Sequence, residues 1–303
     1  MIKIFIIDDS SADQRIDRFL KRKFQKLSQS FIEKNLRKKN ILLNKHLTKS
    51  NQIIKVDDKI TIKNFSEVIY QKFEKKKRTS SINKSHIADF KKSILYENDN
   101  FLIIDKWSGI PAQGGSNISI SIDAIIKNIS ENYNLVHRLD KETSGLMIIA
   151  KNLQHTRFFG KLFKSQKMKK TYLAICDGAP KIKESYVDLD INSNINDKVI
   201  QTNTFYKVLS YNNKTSLIKF QPKTGKKHQL RIVAKNLGCP IVGDQKYNVN
   251  QSKQRENLKL NAFKLEFNIN DNKFKVTSAL PKYFTKYLKL KNIKFNQKLF
   301  KTI

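Results

Sequence analysis

The chain has 303 residues, of which 39% are hydrophobic, so it is long enough for two domains and for at least one sizeable core. No apolar run reaches the length of a membrane span, and residues 1–9 carry charge too early for a secretory signal, which predicts a cytoplasmic protein. Sixty Lys and Arg against 26 Asp and Glu give a formal net charge of +34, which favours a polyanionic partner such as nucleic acid.

Part of the lysine excess has another explanation, because lysine, isoleucine and asparagine all abound when a genome is rich in A and T. The nine arginines discriminate better, and four of them fall in the first forty residues. Cys176 and Cys239 lie far apart in the sequence, and the five histidines lack metal-ligand spacing. We therefore expect neither a disulfide framework nor a metal site.

The first periodic segment is a pair of basic helices. Residues 15–24 place apolar side chains on one helical face, and a capping box at residues 30–33 predicts the start of the second helix. Short strands are predicted at residues 41–43 and within residues 53–62. The basic residues that would contact RNA phosphates are Arg15, Arg18, Lys34, Arg37 and Lys38. The alternative is that these side chains form a solvated face of another kind of small domain.

A polar segment separates this module from the rest of the chain. Residues 65–92 are basic around residues 74–78 and show no apolar period, which predicts a flexible linker. The boundaries expected from the sequence are therefore a first domain at residues 1–64, the linker, and a second domain at residues 93–303. The linker is either a plain solvated tether or one that also touches phosphates.

The second domain alternates several strands with few helices. Strands are predicted in six apolar runs, at residues 101–104, 146–150, 172–175, 204–208, 216–220 and 263–269. Helices are predicted at residues 155–163 and 228–237, and the second of these stops at Gly238. Because strands outnumber helices and several follow one another directly, we predict an α+β domain on a largely antiparallel mixed sheet.

The segment with the most chemical information is the charged turn His137-Arg138-Leu139-Asp140, which runs into the apolar strand at residues 146–150. A turn that ends in a buried strand holds its side chains at the edge of a rigid sheet. Ser144-Gly145 supplies the backbone freedom that the turn needs. Taken alone, Arg138 and Asp140 are better explained by an ordinary surface ion pair, which stabilises by about 0–1 kcal/mol.

The motif HRLDKETSG is one of four segments that occur in the same order in a known family. The others are residues 95–111, the K-x-Y-x-A strand at residues 170–174, and TGKKHQLR with GCPIVGD within residues 224–244. Together they closely resemble the RluA/RluC/RluD class of RNA pseudouridine synthases, most of all the RluC branch. Residues 13–64 resemble the "S-four" RNA-binding module. The chain departs from the family at Trp107, where proline is usual, and at Lys226-Lys227, where Arg-Thr is common.

The resemblance implies a role for each site residue. Asp140 would start the reaction on a uridine, either by attacking the anomeric carbon or by removing a sugar proton, and uracil would rejoin the sugar through carbon five. Burial under a substrate would raise the pKa of a carboxylate, so a neighbouring cation is needed, and the matching cation is Arg231. Tyr172 matches the tyrosine that lies against the base and helps remove the carbon-five proton. Alternatively, Tyr172 is a core residue and Arg231 faces solvent.

A uridine in folded RNA must leave its stack before it can react. Arg138 matches the arginine that fills the vacated space or holds the flipped nucleotide, so we interpret it as an RNA contact rather than as the partner of Asp140. His137 is either a supporting RNA contact or a structural histidine.

The resemblance thus implies an enzyme that isomerises uridines in large-subunit ribosomal RNA without a cofactor or metal. A monomer is the default expectation. Two alternatives remain, the same chemistry on other ribosomal sites or on transfer RNA, and a non-catalytic RNA-binding or ribosome-assembly factor. The second is weakened because an inactive relative has no chemical need for Asp140, Tyr172 and Arg231 together.

Overall fold

The computed structural model of the protein describes residues 1–24, 27–70, 82–115, 118, 120–192, 199–248 and 256–295. The chain forms two compact units, Met1–Thr79 and Ser80–Ile303. None of the described helices is long and apolar enough to cross a membrane.

The first unit is a small α/β module. Its strands are β1 (Lys3–Ile6), β2 (Gln14–Arg15), β3 (Ile41–Leu43), β4 (Ile53–Ile54) and β5 (Lys59–Ile62), and its helices are α1 (Ile16–Lys23), α2 (Gln29–Arg37) and α3 (Glu67–Tyr70). Antiparallel β1, β5 and β3 form one sheet in that order, and β2 pairs with β4. The helices pack their apolar faces into one core with the buried side of these strands.

The starts of the two basic helices show how caps decide helix boundaries. Helix α1 buries Ile16, Phe19 and Leu20, as its apolar pattern predicts. Helix α2 begins at Gln29, because Ser28 has an extended backbone and its Oγ accepts a hydrogen bond from the Phe31 N–H at 3.1 Å. The capping box predicted at residues 30–33 is therefore wrong, and the cap lies two residues earlier.

Part of the predicted linker is a helix of the second unit. Residues Lys84–Lys92 form α4, whose cap Asn83 accepts a hydrogen bond from the His86 N–H at 3.0 Å. Its Phe90 is 1% exposed and belongs to a core cluster of that unit. The prediction of a linker up to residue 92 is wrong here, because one phenylalanine anchors a helix that is otherwise polar. The basic stretch at residues 74–78 lies outside the described residues.

The second unit is built on one large sheet. Its strands are β6 (Ile94–Glu97), β7 (Phe101–Lys106), β8 (Asn134–Leu135), β9 (Ser144–Ala150), β10 (Lys169–Asp177), β11 (Glu184–Asn192), β12 (Val199–Tyr211), β13 (Thr215–Pro222), β14 (Leu260–Ile269) and β15 (Asn272–Thr277). After α4, its helices are α5 (Ile122–Ile129), α6 (Leu153–Lys164), α7 (Gln229–Asn236) and α8 (Lys282–Leu290).

The strand order is β11-β12-β13-β10-β14-β9-β7-β6, with β15 paired to β14 and β8 to β9. Among the described strands, β9 and β14 form a parallel pair and the other pairs are antiparallel. The six predicted strands and both predicted helices of this domain are present, with ends shifted by a few residues. The prediction of an α+β domain on a largely antiparallel mixed sheet is confirmed.

Helices cover both faces of this sheet. Successive side chains of a strand point to opposite faces, and along β9 Met147 and Ile149 pack with α4 and α5 whereas Leu146 and Ile148 pack with α6. In the same way, Ala174 of β10 packs with α7 and its neighbours face α8. The sheet therefore has α4, α5 and α7 on one side and α6 and α8 on the other.

Gly145 makes the parallel contact in the middle of the sheet possible. It has φ +110°, and a Cβ at this position would lie 2.4 Å from the carbonyl oxygen of Ala262 on β14. Only glycine allows β9 to begin beside β14 directly after the charged turn. The turn is thus fixed to the centre of the sheet within five residues of Asp140.

Candidate active site

A cavity of about 730 Å³ lies where β10 begins, β13 ends and α7 begins. Its walls are the turn at residues 136–140, the first residues of β10 and the loop at residues 222–231. The predicted site residues that line it are His137, Arg138, Asp140, Tyr172 and Arg231. The structure therefore brings together residues that lie up to 94 positions apart, as the motifs predict.

His137 ties the charged turn to the sheet. Its Nε2 accepts a hydrogen bond from the Ile148 N–H of β9 at 2.9 Å, and its ring packs 4.6 Å from that of Phe163. Burial, and then the charge of Lys170, lower the pKa of His137 to about 3, so the ring is neutral, as an accepting nitrogen requires. These contacts are structural, and an RNA contact by His137 stays a prediction.

Lys106 holds the same turn from the side of β7. Its side chain is fully buried, and Nζ donates to the carbonyl oxygens of Trp107, Ile110 and Lys141 at 3.0, 3.0 and 3.2 Å. Burial lowers the pKa of Lys106 to about 7, although Glu142 and Asp140 act in the opposite direction. Because Lys141 follows Asp140 directly, this ammonium fixes the backbone beside the candidate catalytic carboxylate.

The carboxylate of Asp140 faces the cavity with a side chain that is 22% exposed. Its nearest ion-pair partner among the described residues is His228, whose Nε2 lies 3.9 Å from Oδ2. Arg138 is exposed, and no hydrogen bond or ion pair links it to another described side chain. The simple alternative, a surface ion pair between Arg138 and Asp140, is therefore absent.

Arg231 lies in the cavity wall but does not pair with Asp140. Its Nε and Nη2 each donate to a carboxylate oxygen of Asp244 at 2.7 Å, and that carboxylate also accepts the backbone N–H groups of Lys246 and Tyr247 at 3.0 Å. The predicted Arg231–Asp140 ion pair is wrong, because the fully buried Asp244 offers a better bidentate partner. Burial opposes the charge of Arg231, but Asp244 and, more weakly, Asp140 raise its pKa.

His228 is a site residue that the sequence did not single out. It caps α7 in the left-handed region at φ +56°, and its Nδ1 lies 3.0 Å from the hydroxyl of Tyr247. If the hydroxyl donates to Nδ1, the proton of the neutral ring is on Nε2, which faces Asp140. Burial lowers the pKa of His228 against the raising effect of Asp140, which favours that neutral ring.

Tyr247 contacts both Arg231 and His228 in the wall of the cavity. The guanidinium carbon of Arg231 lies 5.1 Å from its centroid, and its hydroxyl binds His228. Nothing in the local sequence around Tyr247 suggested this, because its partners come from a loop and a helix start that meet only in the fold. The GD motif at Gly243-Asp244 was the available signal for this loop.

Tyr172 lies on β10 at the cavity wall and touches the core clusters on the α5 and α7 side of the sheet. Burial, and then the negative charge of Asp140, raise the pKa of Tyr172 well above its ordinary value. The phenol is therefore protonated at neutral pH. This favours its face as a contact for a base over its hydroxyl as a ready proton acceptor.

Lys170 and Gln229 shape the loop that closes the cavity. Lys170 Nζ donates to the carbonyl oxygen of Thr224 at 3.1 Å, and burial lowers the pKa of this lysine to about 8. Gln229 Oε1 accepts the Thr224 hydroxyl at 2.8 Å and the Lys226 N–H at 3.0 Å. The departure from the family at Lys226-Lys227 thus leaves a closed loop with two exposed lysines at its tip.

The basic residues predicted to bind RNA in the first unit differ in availability. Arg15 donates to the carboxylate of Asp17 from Nε and Nη2, at 3.1 and 2.6 Å, so its charge already has a partner. Arg18, Lys34, Arg37 and Lys38 are exposed. For metals, the described residues contain no group of three or more His, Cys, Asp or Glu side chains that could hold an ion, and a metal-free mechanism stays a prediction.

The sequence matches one protein family and several of its individual members. A family described as RNA pseudouridylate synthase matches residues 100–236. The ribosomal large subunit pseudouridine synthase C of Rickettsia felis is 38% identical over 80% of this chain and 84% of its own length. The protein of the same name from Rickettsia conorii is 35% identical over 93% and 99%.

Solved structures agree. The human RNA pseudouridylate synthase domain containing 4 protein matches 69% of this chain and 96% of its own, with a TM-score of 0.60 and 25% identity. The motifs, the sheet and the residues around the cavity thus have a common explanation. This chain belongs to the family of RNA pseudouridine synthases.

Proposed function

We propose that this pseudouridine synthase acts on uridines of large-subunit ribosomal RNA. The observation that carries the proposal is the name shared by its relatives, together with one cavity that holds Asp140 and Tyr172 in a chain of net charge +34. In the reaction the bond from N1 to the anomeric carbon breaks and a bond from carbon five forms. Carbon five loses a proton and N1 gains one, so no co-reactant is consumed.

Asp140 is the residue that starts the reaction. Its carboxylate faces the cavity, and three cationic or polar groups surround it without occupying its oxygens: Lys106, His228 and Arg231. Both routes, attack on the anomeric carbon and removal of a sugar proton, need an ionised carboxylate with an accessible oxygen. The surrounding groups stabilise that ionised form when a substrate excludes water.

Tyr172 holds the base. An aromatic face stacked on a base stabilises binding by about 1–3 kcal/mol, whichever base it is. Its raised pKa means that the hydroxyl accepts the carbon-five proton only if the bound substrate changes its surroundings. Stacking is therefore its first role.

Arg138 acts on the RNA rather than on Asp140. It is an exposed residue of the turn that lines the cavity. We expect a flipped nucleotide to enter here. Extruding a base costs a few kcal/mol, and a guanidinium that replaces the missing stack or binds its phosphate offsets part of that cost. We expect Arg138→Ala to slow modification of a structured RNA more than of a single-stranded fragment. Equal slowing would count against the role.

The first unit supplies affinity for RNA. Lys34 and Arg37 lie on α2, Lys38 is its C-cap, and all three side chains are exposed. Each phosphate contact contributes about 0.7–0.9 to the slope of log affinity against log salt. Replacing all three by Gln should therefore lower that slope by about 2–3. An unchanged slope would mean that this unit has another task.

Asp140→Asn tests the chemistry, with Glu142→Gln as the control two residues away. Asn keeps the size of the side chain and removes the charge, so pseudouridine formation should disappear while RNA affinity stays within a few fold. The control, whose carboxylate is 49% exposed, should retain activity. Full activity of Asp140→Asn would refute the assignment. Mapping pseudouridines in ribosomal and transfer RNA from cells that lack and regain the protein tests the substrate. Pseudouridines that return only in transfer RNA would identify transfer RNA as the substrate instead.

A further inference from the structure

The outer strands of the large sheet carry an exposed aromatic pair that the reaction does not use. Tyr186 of β11 and Phe205 of β12 lie directly opposite each other, with ring centroids 5.2 Å apart at an angle of 58°. Tyr186 is 60% exposed and Phe205 is partly exposed. The two adjoining rings therefore offer two apolar faces, tilted relative to each other, to a ligand.

Two lysines cover these rings, Lys219 of β13 and Lys223, which directly follows that strand. Lys219 Nζ lies 5.4 Å from the centroid of Phe205, and Lys223 Nζ lies 5.3 Å from that of Tyr186. Neither lysine has a carboxylate within ion-pair distance among the described residues, whereas nearby Lys207 is paired with Glu184 at 2.6 Å. Burial, and then the charge of Lys207, lower the pKa of Lys219, so an added anion would be favourable here. We call Tyr186, Phe205, Lys219 and Lys223 the aromatic platform.

The aromatic platform adjoins the active-site cavity. Lys223 follows the last residue of β13 and lines the cavity, while its ammonium reaches over Tyr186. Gln221, which lies opposite Phe205, donates to the hydroxyl of Thr171 beside Tyr172. Because Tyr206, Phe220 and Val187 pack on the α7 side with Tyr172, their neighbours in the platform point to the other face of the sheet. An RNA strand that leaves the cavity therefore reaches the platform by passing the end of β13 at Lys223, which contacts both.

We propose that the aromatic platform binds unpaired nucleotides that flank the target uridine, an inference that rests on the proposed action on RNA. Every base has an aromatic face, so two rings bind adjoining bases without reading their sequence. A stacked base stabilises more than an exposed contact between an ammonium and a ring. The base therefore displaces the lysines, whose charges then meet the phosphates on either side. Rings and unpaired cations together fit single-stranded RNA better than an apolar protein surface.

The test compares two tyrosines. Tyr211 ends β12 and is 41% exposed, and Lys183 Nζ lies 4.5 Å from its ring, so it is also an exposed tyrosine beside a lysine but lies outside the platform. Binding of a fluorescent single-stranded oligouridine should weaken about 5- to 150-fold for Tyr186→Leu, the range that a lost stack gives. Tyr211→Leu should bind as the wild type does.

Further variants separate stacking from folding and charge. Tyr186→Trp should bind at least as tightly as the wild type, because indole stacks well, and Lys219→Gln should reduce the salt slope by about 0.7. Equal losses for the variants at positions 186 and 211, or no loss at either, would overturn the proposal and leave a protein partner as the occupant. Because oligouridine binding needs no modified site, failure of the platform is distinguishable from failure to modify ribosomal RNA.

Discussion

Replacing Asp244 by Asn should destabilise the second unit by about 3 kcal/mol. Asp244 is fully buried, accepts four hydrogen bonds and faces an Arg231 side chain that is only 11% exposed. Removing one partner of a buried pair costs about 3–5 kcal/mol, because the other charge is left uncompensated. Asn keeps one oxygen for the backbone N–H groups, which places the cost at the lower end.

The assay is urea unfolding followed by the fluorescence of Trp107, the single tryptophan, which reports on the second unit. A double-mutant cycle with Arg231→Met measures the interaction energy between the two side chains. The double variant should be about 1–3 kcal/mol more stable than the sum of the two single changes predicts. Additive losses in this cycle would refute the reasoning. They would mean that Arg231 and Asp244 stabilise the fold separately.

The ion pair of Arg231 and Asp244 should also make the stability of the fold depend on pH. Burial alone would raise the pKa of Asp244, but the hydrogen bonds and charge of Arg231 outweigh it, so the pKa lies below its ordinary value. A depressed carboxylate pKa stabilises the fold above the unfolded value, about 3.9, and this contribution is lost as the pH falls through the folded value. The stability difference between wild type and Asp244→Asn should therefore be constant near neutrality and shrink in acid.

Three further changes test other parts of the site. Tyr247→Phe keeps the ring beside Arg231 and removes the hydroxyl bound to His228, so kcat/KM should fall roughly two- to tenfold, as for one neutral hydrogen bond, while the melting temperature falls by no more than a few degrees. His137 has its pKa lowered to about 3, so its ring should not titrate in NMR spectra between pH 5 and 8, and its contribution to stability should fall as the pH drops below about 6.5. Gly145→Ala should cost about 3 kcal/mol or more in urea unfolding, because its Cβ meets backbone at positive φ, whereas Gly160→Ala in α6, with open space around it, should be neutral or stabilising.

The sequence predicts the secondary structure of the second unit well, and it predicts few of the side-chain contacts between segments that are distant in the chain. Apolar periodicity predicts six of its strands and two of its helices. The ordered motifs single out Asp140, Tyr172 and Arg231, which the fold places around one cavity. The partner of Arg231 was missed, because Asp244 and Asp140 are both carboxylates in matching motifs, and only the fold shows which one the fork of the guanidinium reaches. His228 was missed for a related reason, since a left-handed cap that aims a ring at Asp140 leaves no periodic signal.

The pairing of Arg231 with Asp244 leaves the carboxylate of Asp140 free of a bidentate partner among the described residues. A guanidinium in bidentate contact with Asp140 would occupy both carboxylate oxygens, and that contact would have to break before Asp140 could react. Instead Arg231 is held by Asp244, His228 by Tyr247, and Lys106 by three carbonyl oxygens. Each group is fixed by a partner of its own, so its charge or dipole acts on Asp140 while the carboxylate stays open to the substrate. Groups that are already oriented need no rearrangement when charge develops, which is the arrangement that lowers a barrier most.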